Sequence, residues 1–299
     1  MRKQFIRVRM KADSYAVVEQ MSAILDEYRQ QGYVLTVRQL YYQLVARGYI
    51  PNNLLSYKRV ISILSQARLG GLIDWDMITD RARDTLMPSF WDSPNSILRS
   101  AARSYRIDLW ANQENHVEVM VEKDALSGVL APVCTEWRLN FTANKGYTSL
   151  SNLYEASQRL LRAVEASKHV IILYLGDHDP SGIDMTRDIT DRLDLFTGGE
   201  VHDIRRLALN YDQIEQMNPP TNPAKTTDSR YEGYREQFGE SSWELDAIDP
   251  KTLSGLISGQ MSELIDWDAW EEASAREQVE RDALKQLADE YKGAALDED

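Results

Sequence analysis

The chain's 299 residues carry 47 aspartates and glutamates against 34 lysines and arginines, and the net charge of −13 excludes a protein that coats DNA through uniform positive potential. The longest apolar runs fall short of the roughly 18 residues of a membrane span, and the charged start MRKQFIRVRMK leads into no signal-type segment, so no membrane partner is expected. A single cysteine, Cys134, excludes an intrachain disulfide framework and a cysteine-rich zinc site; it suits a reducing, cytoplasmic compartment, nucleoid-associated in a prokaryote.

The charge is unevenly spread. Residues 1–110 hold 16 lysines and arginines against 10 acidic residues, a balance of +6 that leaves −19 to the rest. The length suits about two domains with their own cores, and the boundaries are drawn at 1–111, 112–260 and an acidic helical tail, 261–299. With 13 acidic and 4 basic residues, the tail reads as a solvated helical surface, with a helix over Ala275 to Tyr291.

The first unit reads as helices with a small wing. Thr36 and Gln39 form a capping box, Val37, Leu40, Tyr41, Leu44 and Val45 recur at helical spacing, and Gly48 closes the segment. A second helix spans about Leu54 to Leu69, with Tyr57, Val60, Ile61, Leu64 and Ala67 on its apolar face and Lys58, Arg59 and Arg68 on its polar face. Gly70 and Gly71 end it, and LIDWDMITDRAR, Leu72 to Arg83, then reads as a hairpin wing, the order of a winged helix-turn-helix whose second helix reads a DNA groove. Met87 to Asn95 is a linker, and Ile97 to Trp110 adds a helix.

Beyond residue 112, strand and helix alternate: VEVMVE, Asp124 to Trp137, LNFTA, Ser149 to Ser167, HVIILYLGD, Gly182 to Phe196 and VHDIRRLAL. This is an α/β unit with a largely parallel sheet, helices on both faces and ligands at the carboxyl ends of the strands. NPPTNPAK, Asn218 to Lys225, reads as a loop, and KTTDSRYEGY, Lys225 to Tyr234, as a polar loop entering an amphipathic helix.

Both acidic motifs fall at strand ends. Glu122 follows VEVMV, while Asp177 and Asp179 follow HVIILYLG, with His178 turned away from them by strand alternation. Three carboxylates there form a hard oxygen site suited to magnesium on a phosphodiester. The plainer reading is that Asp179 caps the next helix, Asp177 starts a turn and Lys123 is a surface charge.

MVEKDAL, NKGYTSLS and YLGDHDPSGIDM, in that order, resemble the Toprim domain of the topoisomerase VI A subunit and of the related meiotic double-strand-break protein. The likeness spans roughly Leu35 to Leu209 and extends weakly to WELDAI, Trp243 to Ile248. It implies a Rossmann-like Toprim domain behind an N-terminal winged helix, with magnesium on Glu122, Asp177 and Asp179 and a Gly-Tyr element at Gly146 and Tyr147. RQLYY, Arg38 to Tyr42, is similar to the family's Arg-x-x-Tyr-Tyr element, which implies Tyr42 as nucleophile and Arg38 as its helper. Helical spacing already distinguishes the two phenols: Tyr41 lies among Leu40, Leu44 and Val45, whereas Tyr42 shares the more polar face of Arg38, four residues away, and is the freer. The residue-level alternative is that both rings pack between helices.

The resemblance therefore implies double-stranded DNA as partner, a homodimer in which Tyr42 of one protomer works beside the other's metal, and a 5′-phosphotyrosyl link, catalytically a type IIB topoisomerase-like reaction. Lys58, Arg59, Arg68, Lys123 and Lys145 are the expected DNA contacts. Because no GxxxxGK[ST] loop is present, ATP-driven strand passage would require a separate ATPase partner subunit, and the chain is most similar to the compact, stand-alone Mini-A type. Two alternatives keep part of the site: a Toprim nuclease using metal-activated water, and a non-catalytic DNA-binding protein with a Toprim scaffold.

Overall fold

The alternating apolar segments fold as the strand-helix pattern requires. In the computed structural model, which describes residues 4–79, 90–201 and 203–291, β1 (Asn115–Val121), β2 (Asn140–Ala143), β3 (His169–Leu175) and β4 (Asp203–Ala208) form one sheet in the order β2-β1-β3-β4, with every pairing parallel. A parallel sheet must be covered on both faces. On one face, Val117, Val119, Val121, Ile171, Leu173 and Leu175 pack against α5 (Ser127–Glu136) and α10 (Pro250–Leu264). On the other, Met120, Val170, Ile172 and Tyr174 meet α6 (Leu150–Glu165) and α7 (Pro180–Thr197). Cys134 is buried in the first of these layers as apolar filling, and burial pushes its thiol up to about 12.

The N-terminal unit is a three-helix cluster. α2 (Val37–Ala46) starts at the Thr36–Gln39 capping box and α3 (Leu54–Leu69) at Asn53, whose side chain accepts from Ser56 N. The third helix, α1 (Ala12–Gln30), lies outside the sequence reading, although Val17, Val18, Met21, Ile24, Leu25 and Tyr28 recur at helical spacing and are all buried. No hairpin wing forms in the described part of Leu72 to Arg83. Asp74 instead caps a single 3-10 turn, Trp75–Met77, and Ile73, Met77 and Ile78 are buried in the three-helix core, with a parallel bridge from Ile78 to Leu35. Arg81 and Arg83 lie outside the described residues, as do Met87 to Ser89 of the expected linker.

α4 (Pro94–Ser104) is paired lengthwise with α11 (Trp267–Glu290): Asn95 Nδ2 donates to Ala288 O at 2.6 Å, and Arg99 pairs with Asp289 at 2.9 Å. The acidic tail is thus more than a solvated end. Its Glu277 is buried and holds Arg138 at 3.0 Å and the Ile107 amide at 3.0 Å, which fastens the segment between the two units. α8 (Tyr211–Met217) follows β4, and the proline-rich loop after it contains β5 (Asn222–Pro223), paired antiparallel with β6 (Ser241–Ser242) on the far side of α9 (Tyr231–Phe238). No helix among the described residues is long and apolar enough to cross a membrane.

Candidate functional site

Parallel pairing of β1 and β3 sets Glu122 and Asp177 side by side at the carboxyl edge of the sheet. Glu122 N donates to Leu175 O at 2.9 Å, and its Oε2 in turn accepts from Asp177 N at 2.8 Å. The chain turns here through two closely packed glycines, and at Gly182 a larger residue would run into backbone. A Cβ on Gly176 would lie 3.0 Å from Glu122 Oε2 and 3.0 Å from the Tyr174 hydroxyl, and one on Gly182 would lie 2.2 Å from the Asp177 carbonyl oxygen. Arg206 of β4 rivets the turn from behind, donating to the carbonyls of Gly176 (3.1 Å), Asp177 (2.5 Å) and Gly182 (3.1 Å).

Asp179 takes the plainer of its two expected roles. It is the N-cap of α7, with Oδ1 accepting from Gly182 N at 2.6 Å and from Ser181 Oγ at 2.9 Å. His178 points away from the carboxylates, as alternation implies, into a box of Tyr211, Tyr234, Phe238 and Trp243 rings, where burial lowers it to about 4. Its backbone exchanges two hydrogen bonds of 2.9 Å with Trp243. That bridge delivers Glu244 and Asp246, residues absent from the sequence-derived site although WELDAI carries both, to the acidic edge.

Lys123 is the hub of the cluster and not an exposed phosphate contact. Its Nζ lies 2.7 Å from Asp177 Oδ2, 3.0 Å from Glu244 Oε2 and 3.0 Å from Asp246 Oδ2. Three carboxylates drawing on one ammonium hold it protonated, its pKa raised despite burial. The acids respond unequally. Burial and the Asp177 charge raise Glu122 well above the carboxylate range; burial also raises Asp177, although Lys123 opposes it. Burial would raise Glu244 too, but Lys123 and Arg38 keep it below its ordinary value.

Glu244 also reaches the tyrosine pair. Its Oε1 pairs with the Arg38 guanidinium and accepts from Asn222 Nδ2 at 3.3 Å, and the same Nδ2 donates to the Tyr42 hydroxyl at 2.7 Å. A continuous polar chain thus runs from Tyr42 through Asn222, Glu244 and Lys123 to Asp177 within one molecule, whereas the resemblance implies the site of a second protomer. Tyr42 is not the freer phenol that helical spacing implies. Both rings are buried, Tyr42 at 2% exposure and Tyr41 at 4%: Asn222 covers the Tyr42 hydroxyl, whereas Tyr41 packs within its own unit against Tyr57, Asn52 and Asn53. Burial and the Glu244 charge push the Tyr42 phenol up to about 12, against the opposing pull of Asn222 and Arg38.

The remaining cations divide by surroundings. Lys58 and Arg59 are exposed on α3, and Lys145 is exposed 3.9 Å from Asp124. Arg68 is not available in the same way: its guanidinium lies 4.3 Å from the Trp75 ring centroid and donates to Trp75 O at 3.0 Å. Tyr147, after the positive-φ Gly146, donates to Asp184 at 2.8 Å.

The donors fit a hard divalent cation in kind. They are carboxylate oxygens, two of the acids are raised by burial, and the buried Asp246 Oδ1 and Tyr174 hydroxyl have no hydrogen-bond partner. In arrangement they are not a ready cage: among the described residues no three His, Cys, Asp or Glu side chains are grouped to hold a metal, and Lys123 supplies the cluster's positive charge. No family model, curated protein or solved structure matches the chain.

Proposed function

We propose that the chain cleaves DNA in the manner of the topoisomerase VI A subunit, as the winged-helix and Toprim resemblance implies. The observation that carries this reading is the polar chain from Tyr42 to Asp177, which joins a phenol with an adjacent guanidinium to an acidic cluster at the strand ends. In this scheme the Tyr42 oxygen bonds to phosphorus as the bond to the 3′ oxygen breaks, leaving a 5′-phosphotyrosyl link that conserves the bond energy for resealing. Arg38, released from Glu244 by the incoming phosphate, grips the phosphate and favours the phenolate. By the resemblance, Glu122, Asp177 and Asp179 would be the residues to hold magnesium, with Lys123 giving up Asp177, and the ion would supply charge stabilisation at the departing 3′ oxygen. Lys58 and Arg59 contact the duplex backbone, and a homodimer brings two such sites to the two strands.

Burial of Tyr42 and its high pKa favour a second reading, a Toprim nuclease in which water attacks and Tyr42 is structural. One experiment decides between them. Supercoiled plasmid is incubated with the protein and magnesium, quenched with detergent and run with and without protease. Breaks that carry protease-sensitive protein and vanish in Tyr42→Phe are the expected result; protein-free breaks that persist in Tyr42→Phe establish hydrolysis, and absence of any break removes both.

A further inference from the structure

Beside Tyr42 lies a pocket of about 430 Å³ whose walls include Arg38, Tyr57, Asn53, Leu54 and Glu244. Arg38 stands between two rings, its Cζ 5.9 Å from the Tyr57 centroid and 6.0 Å from that of Tyr42. The lip is unusual for an α-helix start: Leu54 and Leu55 are 65% and 80% exposed, side by side, one turn ahead of the exposed Lys58 and Arg59. Adjacent apolar side chains held in water beside backbone-contacting cations are the equipment of proteins that part a base stack. An aromatic wall with amide and carboxylate groups is what an unstacked base meets when a protein holds it out of the helix.

We propose that this pocket receives one unpaired nucleotide of the DNA, its base stacked on Tyr57, with Leu54 and Leu55 entering the stack the base has left. The volume is within the usual range for a site enclosing a ligand of this size. Lys58 and Arg59 then meet flanking phosphates, and the seated nucleotide brings its own phosphate to Arg38 and Tyr42. The inference rests on the DNA reading above and specifies its substrate as DNA that is locally unpaired at the point of attack.

The test is binding without catalysis. The full-length protein, in EDTA, is titrated into two duplexes, one with a single unpaired 2-aminopurine bulge and one with 2-aminopurine paired, and anisotropy and 2-aminopurine emission are read together. The bulged duplex should bind about tenfold tighter, with its emission quenched by stacking. Tyr57→Ala should remove the preference. Because Tyr57 also packs on Tyr41, the Leu54→Ser, Leu55→Ser double variant, altered only at exposed positions, should remove it as well. Equal affinity for the two duplexes, or a preference unchanged in the double variant, overturns this inference alone if DNA is still bound. Failure to bind either duplex overturns it together with the proposed function.

Discussion

Replacing Lys123 with methionine keeps the length of the side chain and removes its charge. At an effective dielectric of ~20, each contact near 3 Å is worth roughly 5 kcal/mol before desolvation, but burying the ammonium and three acids offsets most of that sum. What remains in the variant is three carboxylates of which only Glu244 keeps a cation, Arg38: Asp177 and Asp246 are almost wholly buried, and the Lys123 side chain that covered them is itself only 23% exposed. Removing one partner of a buried charge set costs about 3 to 5 kcal/mol. The loss should be greatest at pH 8, where all the acids are ionised. At pH 5 it should shrink to about 1 to 2 kcal/mol, because Glu122 and Asp177, already raised, take up protons and relieve the repulsion. Urea unfolding at the two pH values measures this, with Lys145→Met, an exposed lysine, as a control expected within about 0.5 kcal/mol of wild type. Magnesium adds a second readout. If the cluster accepts the ion, saturation at a hundredfold over Kd should restore about 2.7 kcal/mol to the variant at pH 8. A loss under about 1 kcal/mol at pH 8, or an equal loss at both pH values, would refute the view that the ammonium neutralises this cluster.

Three further outcomes are expected. Gly182→Ala places a Cβ 2.2 Å from a backbone oxygen and should cost about 2 to 3 kcal/mol in urea melts, whereas Gly233→Ala in α9, with open space around it, should be neutral or slightly stabilising. Lys58→Ala with Arg59→Ala should lower the salt slope of DNA binding by about 2, while Arg68→Ala should leave the slope unchanged and lose stability through the Trp75 packing. His178, lowered to about 4, stays neutral in the folded chain, so its contribution is complete above its unfolded value near 6.5 and is lost as pH falls from there toward 4. Thermal melts across that window should show an acid limb that His178→Phe flattens; an unchanged limb would assign the acid sensitivity elsewhere.

The parts of the fold that are local in cause were legible in the sequence. The Thr36–Gln39 box and the Leu54 to Leu69 pattern give α2 and α3 their observed bounds, and four apolar strands alternating with helices give the parallel sheet. Over Leu72 to Thr79, the described part of the expected wing, LIDWDMI offers both a strand pattern and an Asp74 cap, and burial of Ile73, Met77 and Ile78 against three helices decided for the cap. At the site, Glu122 and Asp177 follow from strand ends alone. Glu244 and Asp246 do not, since their approach depends on the pairing of His178 with Trp243 across a long stretch of chain. The Tyr42 environment was hidden for the same reason. Helical spacing ranks faces against a helix's own unit and says nothing of the second unit that comes to cover the polar one.

That covering bears directly on the proposed chemistry. Tyr42 is shielded by contacts from one short stretch: Asn222 on its hydroxyl, Glu244 on Arg38, and Asn52 joined to Thr221 and Asn222. Neutral hydrogen bonds contribute about 1 kcal/mol each and charge-assisted ones about 1.5 to 3, so parting these three neutral contacts and one ion pair costs about 5 kcal/mol, at the lower end of the range for unfolding a whole domain. A DNA phosphate entering beside Arg38 competes for the same guanidinium that holds Glu244, and so supplies free energy where the shield is weakest. Burial is the larger cause of the raised Tyr42 pKa and the Glu244 charge the second; parting the stretch relieves both, and because the phosphate brings a negative charge of its own, it is Arg38, held between phosphate and phenol, that favours the ionised form. Under the transesterification reading, the contact that keeps the tyrosine inert in the free chain is therefore the one that substrate binding must undo, which ties activation of the nucleophile to the presence of the phosphate it attacks.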